Sequence, residues 1–263
     1  MKVRFIPHSL ALASARLRGL IPARELRKLG FEVVVSGPAD WAVLSKHGWE
    51  DARAENARRI AFDVCDDHFD GEFSAHYFRW CAAADLVTCN SASMAEIIKA
   101  RTGRDARVIP DPYESPECEP KCHGPVLWFG QALNLIDLMP ILDSLPEVLI
   151  VSDHDHPQVA RWSPQTMEAA WDTCGLTVLP TGAKKGKSAN RAIESIRRGL
   201  FPVCGQLPAY AELGLGVDDV PAGVAQALEN KGHTLERVFD LQDVIRERFS
   251  PGRIGRLWAE CFV

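Results

Sequence analysis

Short apolar, β-branched runs alternate along this chain with segments whose apolar residues recur at helical spacing. Residues 2–6 predict a first strand, 20–29 a helical pattern closed by Gly30, and 31–35 a second strand. So tight a strand–helix–strand opening implies a parallel pair with a right-handed crossover. Pro22 is expected to interrupt the helix, leaving Arg16 and Arg18 in the loop before it. Further strands are expected at 40–45, 59–64 and 85–91. Helices are expected at 77–83 and at 94–100, the latter capped by Ser91 or Ser93. Residues 107–112 close this half, and the Pro-, Glu- and Cys-rich stretch 113–124 reads as a linker.

The pattern restarts with a strand at 125–130 ending in Gly130, a helix at 134–142 and a strand at 147–152. A run at 159–162, a helix at 164–171, a strand at 176–180, a short helix at 210–213 and helices reaching about 249 follow, with a tail over 253–262. Four pieces are expected: 1–112, a linker at 113–124, 125–249, and a last helix over 250–263 packing back on the first piece through Trp258 and Phe262.

Composition changes this picture little. The 263 residues are 46% hydrophobic and 25% charged, which suits a globular protein with a full core. A net charge of -5 argues against general nucleic-acid binding, although a local basic face fits inside an acidic total. There is no signal-peptide-like apolar region at the start and no run of about 20 apolar residues, so a cytoplasmic location without a membrane span is the expectation. Cys118, Cys122 and His123 form the one zinc-like spacing, but no fourth ligand is evident, and Asp153–His154–Asp155–His156 reads as a loop over a nucleotide base. No bound metal or other cofactor is expected.

Chemistry concentrates at 184–203. A short apolar strand ending in Pro180 leads through a polar loop into a helix, then Gly199, Phe201, Pro202 and Val203. Ala189, Ala192, Ile193, Ile196 and Leu200 share one face and should meet a core. Lys187, Asn190, Arg191 and Glu194 cluster opposite, near the helix N-terminus, where unpaired N–H groups and a partial positive charge favour an anion. A rival motif overlaps them. Gly182 to Ser188 is one residue short of the phosphate-binding loop Gly-x-x-x-x-Gly-Lys-Ser/Thr, whose backbone must wrap a phosphate.

The strand–loop–helix–Gly-x-Pro-Val unit resembles the nucleotide-sugar-binding segment of GT-B glycosyltransferases, especially the family 4-like group. Ala84-Asp85-Leu86-Val87 with Ser91, and Val108-Ile109-Pro110-Asp111, are similar to the strand and closing segment of that group's N-terminal domain. The resemblance implies two Rossmann-like α/β domains with parallel sheets facing across a cleft, and a glycosyltransferase moving a sugar from a nucleoside diphosphate sugar to an acceptor hydroxyl. It implies donor contacts from Gly130, Gln131, Ser152, Lys187, Ser188, Asn190, Arg191 and Glu194, with Glu194 at the ribose and Lys184, Lys185, Lys187 or Arg191 at the diphosphate. Two positions depart from the pattern. Gly186 stands where a first glutamate often lies, and Gln131 replaces an arginine.

Asp66, Asp67 and His68 follow a predicted strand and are the candidate catalytic groups for an acceptor hydroxyl, with helix capping as the bland alternative. Arg16 and Arg18 are expected to reach the acceptor side, where a glycan, a small molecule or a hydroxymethylated DNA base would bind. The competing classes are a P-loop-like phosphotransferase or NTPase and a non-catalytic nucleotide-binding module. Magnesium-dependent ATP turnover would mark the first, and donor binding without turnover the second.

Overall fold

The computed structural model describes residues 1–7, 9, 12–46, 56–181 and 186–263. Contacts divide the chain into two compact units. One comprises Met1–Glu114, Lys185–Ser188 and Glu247–Val263, and the other Ser115–Lys184 and Ala189–Arg246.

The first unit is built on β1 (Lys2–Ile6), β2 (Glu32–Val33), β3 (Ala39–Ser45), β4 (Ala57–Val64), β5 (Leu86–Cys89) and β6 (Arg107–Val108). They form one parallel sheet in the order β2-β1-β3-β4-β5-β6. Val43, Ala61, Phe62 and Val64 are fully buried, as the apolar runs of a parallel sheet covered on both faces should be. On one face, α3 (Ser74–Ala83) and α4 (Ala92–Thr102) bring Tyr77, Cys81, Met94 and Ile98 onto the sheet. Ser91 caps α4, its hydroxyl accepting the Met94 N–H at 3.2 Å. The other face holds Leu26, Trp41, Ile254, Trp258 and Phe262, the last three on α11 (Pro251–Phe262). Trp258 meets Phe5 edge-on at 5.5 Å, a preferred aromatic geometry.

The first helix corrects the expectation around Pro22. The segments α1 (Ala13–Ala15), a π turn (Arg16–Leu20) and α2 (Ile21–Lys28) follow one another directly. Proline at 22 cannot donate to the carbonyl of residue 18, and the neighbouring Ile21 N–H bonds instead to Arg16 five residues back. Arg16 and Arg18 therefore sit inside helical structure and not in a loop. Strand 31–35 also shrinks to two residues.

The second unit has β7 (Val126–Gly130), β8 (Val148–Ser152), β9 (Val159–Arg161), β10 (Leu176–Leu179) and β11 (Phe201–Cys204), parallel in the order β11-β10-β7-β8-β9. Its helices include α5 (Leu135–Leu138), α6 (Pro164–Thr173), α7 (Asn190–Arg197), α8 (Pro208–Ala211), α9 (Val220–Glu229) and most of α10 (Lys231–Arg248). The expected helix at 134–142 is broken into a 3-10 turn, α5 and a second 3-10 segment, Met139–Ser144, opening at Pro140.

The expected linker is a strap on α7. Ser115 N–H donates to Glu194 at 3.0 Å, Cys118 N–H to the Arg197 carbonyl at 2.8 Å, and Lys121 N–H to the Gly199 carbonyl at 2.9 Å. Arg197 and Arg246 both bind Glu117. Gln242 on α10 donates to the carbonyls of Cys118 and Ile196. At Gly199 (φ 77) a Cβ would lie 2.1 Å from the Glu119 carbonyl oxygen, so only glycine ends α7 here.

Candidate functional site

In parallel α/β sheets ligands bind beyond the carboxyl ends of the strands, and most sequence-predicted residues fall at one of two such edges. In the second unit, Gly130 ends β7 beside β8 and β10. Arg191, in the first turn of α7, crosses above it and donates from Nη1 to the Phe129 carbonyl at 3.2 Å. It also hydrogen-bonds the Tyr210 hydroxyl, and its remaining N–H groups have no partner among the described residues. A Cβ on Gly130 would stand 3.2 Å from that nitrogen and 3.3 Å from the Trp128 ring, so the glycine makes room for the guanidinium. Burial pushes the Tyr210 phenol up to about 12, and the nearby Arg191 charge only partly offsets this.

Around this centre the other residues divide. Asn190 uses its side-chain oxygen to accept the Arg191 N–H at 2.8 Å, which fixes the first turn of α7. Glu194, three residues on, is held by the strap through Ser115. Gln131 is exposed. Ser152 is fully buried at the end of β8, where its hydroxyl donates to Asp153 at 3.2 Å and accepts the His154 N–H at 3.3 Å. It holds a turn and presents no hydroxyl to a ligand, a correction to its expected donor contact. Asp153 in turn accepts the Ala132 N–H at 2.7 Å, joining the loops after β7 and β8. His154 and His156 stack at 6.0 Å on that loop.

Lys187 and Ser188 pack with the first unit, together with Gly186. A Cβ on Gly186 would lie 2.5 Å from the Met94 terminal methyl and 3.1 Å from the Asp67 Cβ, so a side chain here requires Met94 to move. Ser188 hydrogen-bonds Asp111. Lys184, Lys185 and most of the glycine–lysine motif, 182–185, lie outside the described residues.

At the first unit's carboxyl edge the structure reassigns Arg18. Its side chain is 1% exposed, and it donates in bidentate fashion to Asp63 (2.6 and 2.9 Å), to Asp111 (3.2 Å) and to the Ile109 carbonyl. Thr88 adds a donor to Asp63 at 2.7 Å. Burial opposes the Arg18 charge, but Asp63 and Asp111 overcome it and hold the guanidinium above its usual value. Burial raises Asp111, against the pull of Arg18. An arginine so enclosed has no face for an acceptor, because its partners leave it no access to solvent. Arg16 is half-exposed and clamps Glu114 at 2.8 and 3.0 Å.

Asp66 and Asp67 lie just beyond β4, near the carboxyl end of β3. Asp66 pairs with Lys46 at 2.5 Å. Lys46 was not singled out from sequence. It has φ 66, the one left-handed non-glycine residue among those described, and its N–H donates to the Asp63 carbonyl at 3.3 Å. Burial opposes its charge, and the paired Asp66 carboxylate more than offsets that. Asp67 is exposed and accepts the Phe69 N–H at 3.2 Å in a tight turn. His68 lies edge-on to Phe73 and Tyr77. Among the described residues no cluster of three or more His, Cys, Asp or Glu is placed to hold a metal ion, and Cys118 and Cys122 are free thiols.

No protein-family model matches the chain, and no curated protein matches it in sequence. Solved structures do. Alr3699/HepE of Anabaena, solved with UDP-glucose, superposes over 99% of both chains with a TM-score of 0.73 at 14% identity. TarM aligns with 92% of this chain and 57% of its own, at a TM-score of 0.68 and 12% identity. The spinosyn forosaminyltransferase SpnP aligns with 100% and 99%, at a TM-score of 0.55 and 14% identity. These neighbours are GT-B glycosyltransferases, and the two parallel-sheet α/β units share their fold. The finer family 4-like assignment has no matching model behind it.

Proposed function

We propose that the protein is a glycosyltransferase that moves a sugar from a nucleoside diphosphate sugar to an acceptor hydroxyl. The observation that carries this reading is Arg191, held over Gly130 at the carboxyl edge of the second sheet with N–H groups unspent on the described residues. It gains weight because a neighbour spanning the same length was solved with UDP-glucose. In this reading Arg191 and the N-terminus of α7 meet the negative charge that develops on the diphosphate as the glycosidic bond breaks. Glu194 serves the ribose and the His154–His156 loop the base. Charge supplied by side chains makes turnover in EDTA the expectation.

The first unit then carries the acceptor, on its portion within 1–112. Asp66, Asp67 or His68 takes the hydroxyl proton or orients the hydroxyl, and the Lys46 ammonium fixes one carboxylate oxygen of Asp66. Arg16 remains at this edge, whereas Arg18 supports it from within. The phosphate-loop alternative has less support, since the solved neighbours include a forosaminyltransferase and a UDP-glucose complex.

The test is release of UDP from UDP-glucose, followed with labelled sugar and a mixed acceptor pool. Replacing Asp66, Asp67 and His68 together should lower turnover by on the order of 100-fold while leaving UDP affinity nearly intact. A folded triple variant at full rate would reduce this cluster to a helix cap. An absence of UDP binding would remove the whole reading.

A further inference from the structure

Arg191 follows β10, yet its side chain is fixed by groups from the strands on either side of β10. At the end of β7 the Phe129 carbonyl accepts from Nη1 at 3.2 Å. After β11 the Tyr210 hydroxyl takes a second guanidinium hydrogen bond. Tyr210 is itself closely held. It is 1% exposed in α8, and its N–H donates to the Leu207 carbonyl at 2.9 Å. Its own carbonyl accepts the N–H groups of Leu213 and Leu215, each at 3.0 Å. Besides Arg191, the ionisable group acting on the phenol is the Cys204 thiol at the end of β11, which burial keeps neutral.

An arginine beside a carboxylate is fixed but neutralised, as Arg18 is. An arginine without partners keeps its charge, and also the rotamer freedom of a long side chain, which a ligand must then freeze. A carbonyl and a phenol avoid both outcomes. They orient the planar guanidinium through hydrogen bonds and leave its positive charge whole. Charge held in place beforehand favours an anion more than the same charge on a mobile side chain. The Phe129 contact belongs to the backbone and survives any substitution there. The Tyr210 contact is one side-chain oxygen, which a phenylalanine lacks.

We propose that Tyr210 is a positioning residue of the donor site, its hydroxyl orienting Arg191 toward the diphosphate without neutralising it. The inference rests on the glycosyl-transfer reading and adds to it a residue that touches neither donor nor acceptor. Because its effect passes through Arg191, it is confined to the diphosphate part of the ligand.

The test uses the full chain with UDP, followed by calorimetry, and uridine, followed by saturation-transfer NMR. The proteins are wild type, Tyr210→Phe, Arg191→Ala and the double variant. Tyr210→Phe should weaken UDP about five-fold, the worth of one lost hydrogen bond, and leave uridine affinity unchanged. In the Arg191→Ala background the same substitution should change UDP affinity by less than about two-fold. Equal UDP affinity in folded Tyr210→Phe would overturn the proposal. So would an equal loss for UDP and uridine, or a full loss in the Arg191→Ala background, since either marks a residue that only packs the core. A second measurement keeps Tyr210 in place. The chain has three tyrosines, so in protein labelled with 3-fluorotyrosine Tyr77→Phe and Tyr113→Phe identify the Tyr210 fluorine resonance by elimination. That resonance should shift with UDP and not with uridine, and one blind to UDP would overturn the proposal. Failure of the wild type to bind UDP would remove the donor site and this inference with it, whereas wild-type binding with any of the contrary results removes the inference alone.

Discussion

The two carboxyl edges use arginine in opposite ways. In the first unit Arg18 is sealed beneath the edge, with two carboxylates and a carbonyl as partners. In the second, Arg191 rests half-buried over a glycine, bound by one carbonyl and one phenol, neither of which carries a countercharge. The first arrangement fixes architecture. A guanidinium between Asp63 on β4 and Asp111 after β6 joins the ends of two strands. The second leaves the Arg191 guanidinium with no carboxylate partner among the described residues. A basic residue near a strand's carboxyl end is therefore not by itself a ligand contact; its carboxylate partners decide.

This contrast is broken most directly at Arg18. Arg18→Met should strand the buried Asp63 and Asp111 and cost about 3–5 kcal/mol in urea unfolding, with UDP affinity of the folded fraction unchanged. Loss of donor affinity without loss of stability would reverse the roles of the two arginines. A gentler probe is Gly130→Ala, whose Cβ would press on Arg191 and Trp128. The guanidinium must shift by a few tenths of an ångström, so UDP affinity should fall by about 1 kcal/mol while Tm changes little. Equal affinity in the variant would mean that the glycine does not hold space for Arg191.

The smallest effect is read from pH. Tyr210 is an acid whose folded pKa is raised, from 10 to about 12, chiefly by burial. Its contribution to stability is whole below pH 10 and is lost as pH rises through about 12, because the unfolded chain then ionises first. Arg191 opposes that rise, so Arg191→Ala should move the spectroscopic titration of this tyrosine upward. A downward move would place the guanidinium elsewhere.

How much of this was legible follows from sequence distance. The unit from β10 through α7 to Gly199 and β11 was readable because its signals are local: a β-branched run, a 3.6-residue apolar face, a closing glycine. The Ser91 cap was readable for the same reason. Arg18 was not, since its partners lie 45 and 93 residues away and a linear pattern cannot show that they converge. Pro22 was misread because proline marks a break in the helical ladder but not the π turn that absorbs it. The 113–124 stretch had a linker's composition, and its distant bonds to α7 and α10, those of Glu117 to Arg197 and Arg246 among them, make it a strap. Lys46 gave no signal at all, because its left-handed backbone is a property of the fold. Ser152 shows the converse error: a polar residue at a strand's carboxyl end can be consumed by its own turn.

The central claim is that the second unit's carboxyl edge holds a nucleoside diphosphate on Arg191. Calorimetric titration of UDP into the wild-type protein and Arg191→Ala tests it most directly. The account predicts saturable binding that weakens by about 1.5–3 kcal/mol in the variant, the worth of a charge-assisted contact, with Tm nearly unchanged. Equal UDP affinity in the two folded proteins, or no binding to either, would contradict it.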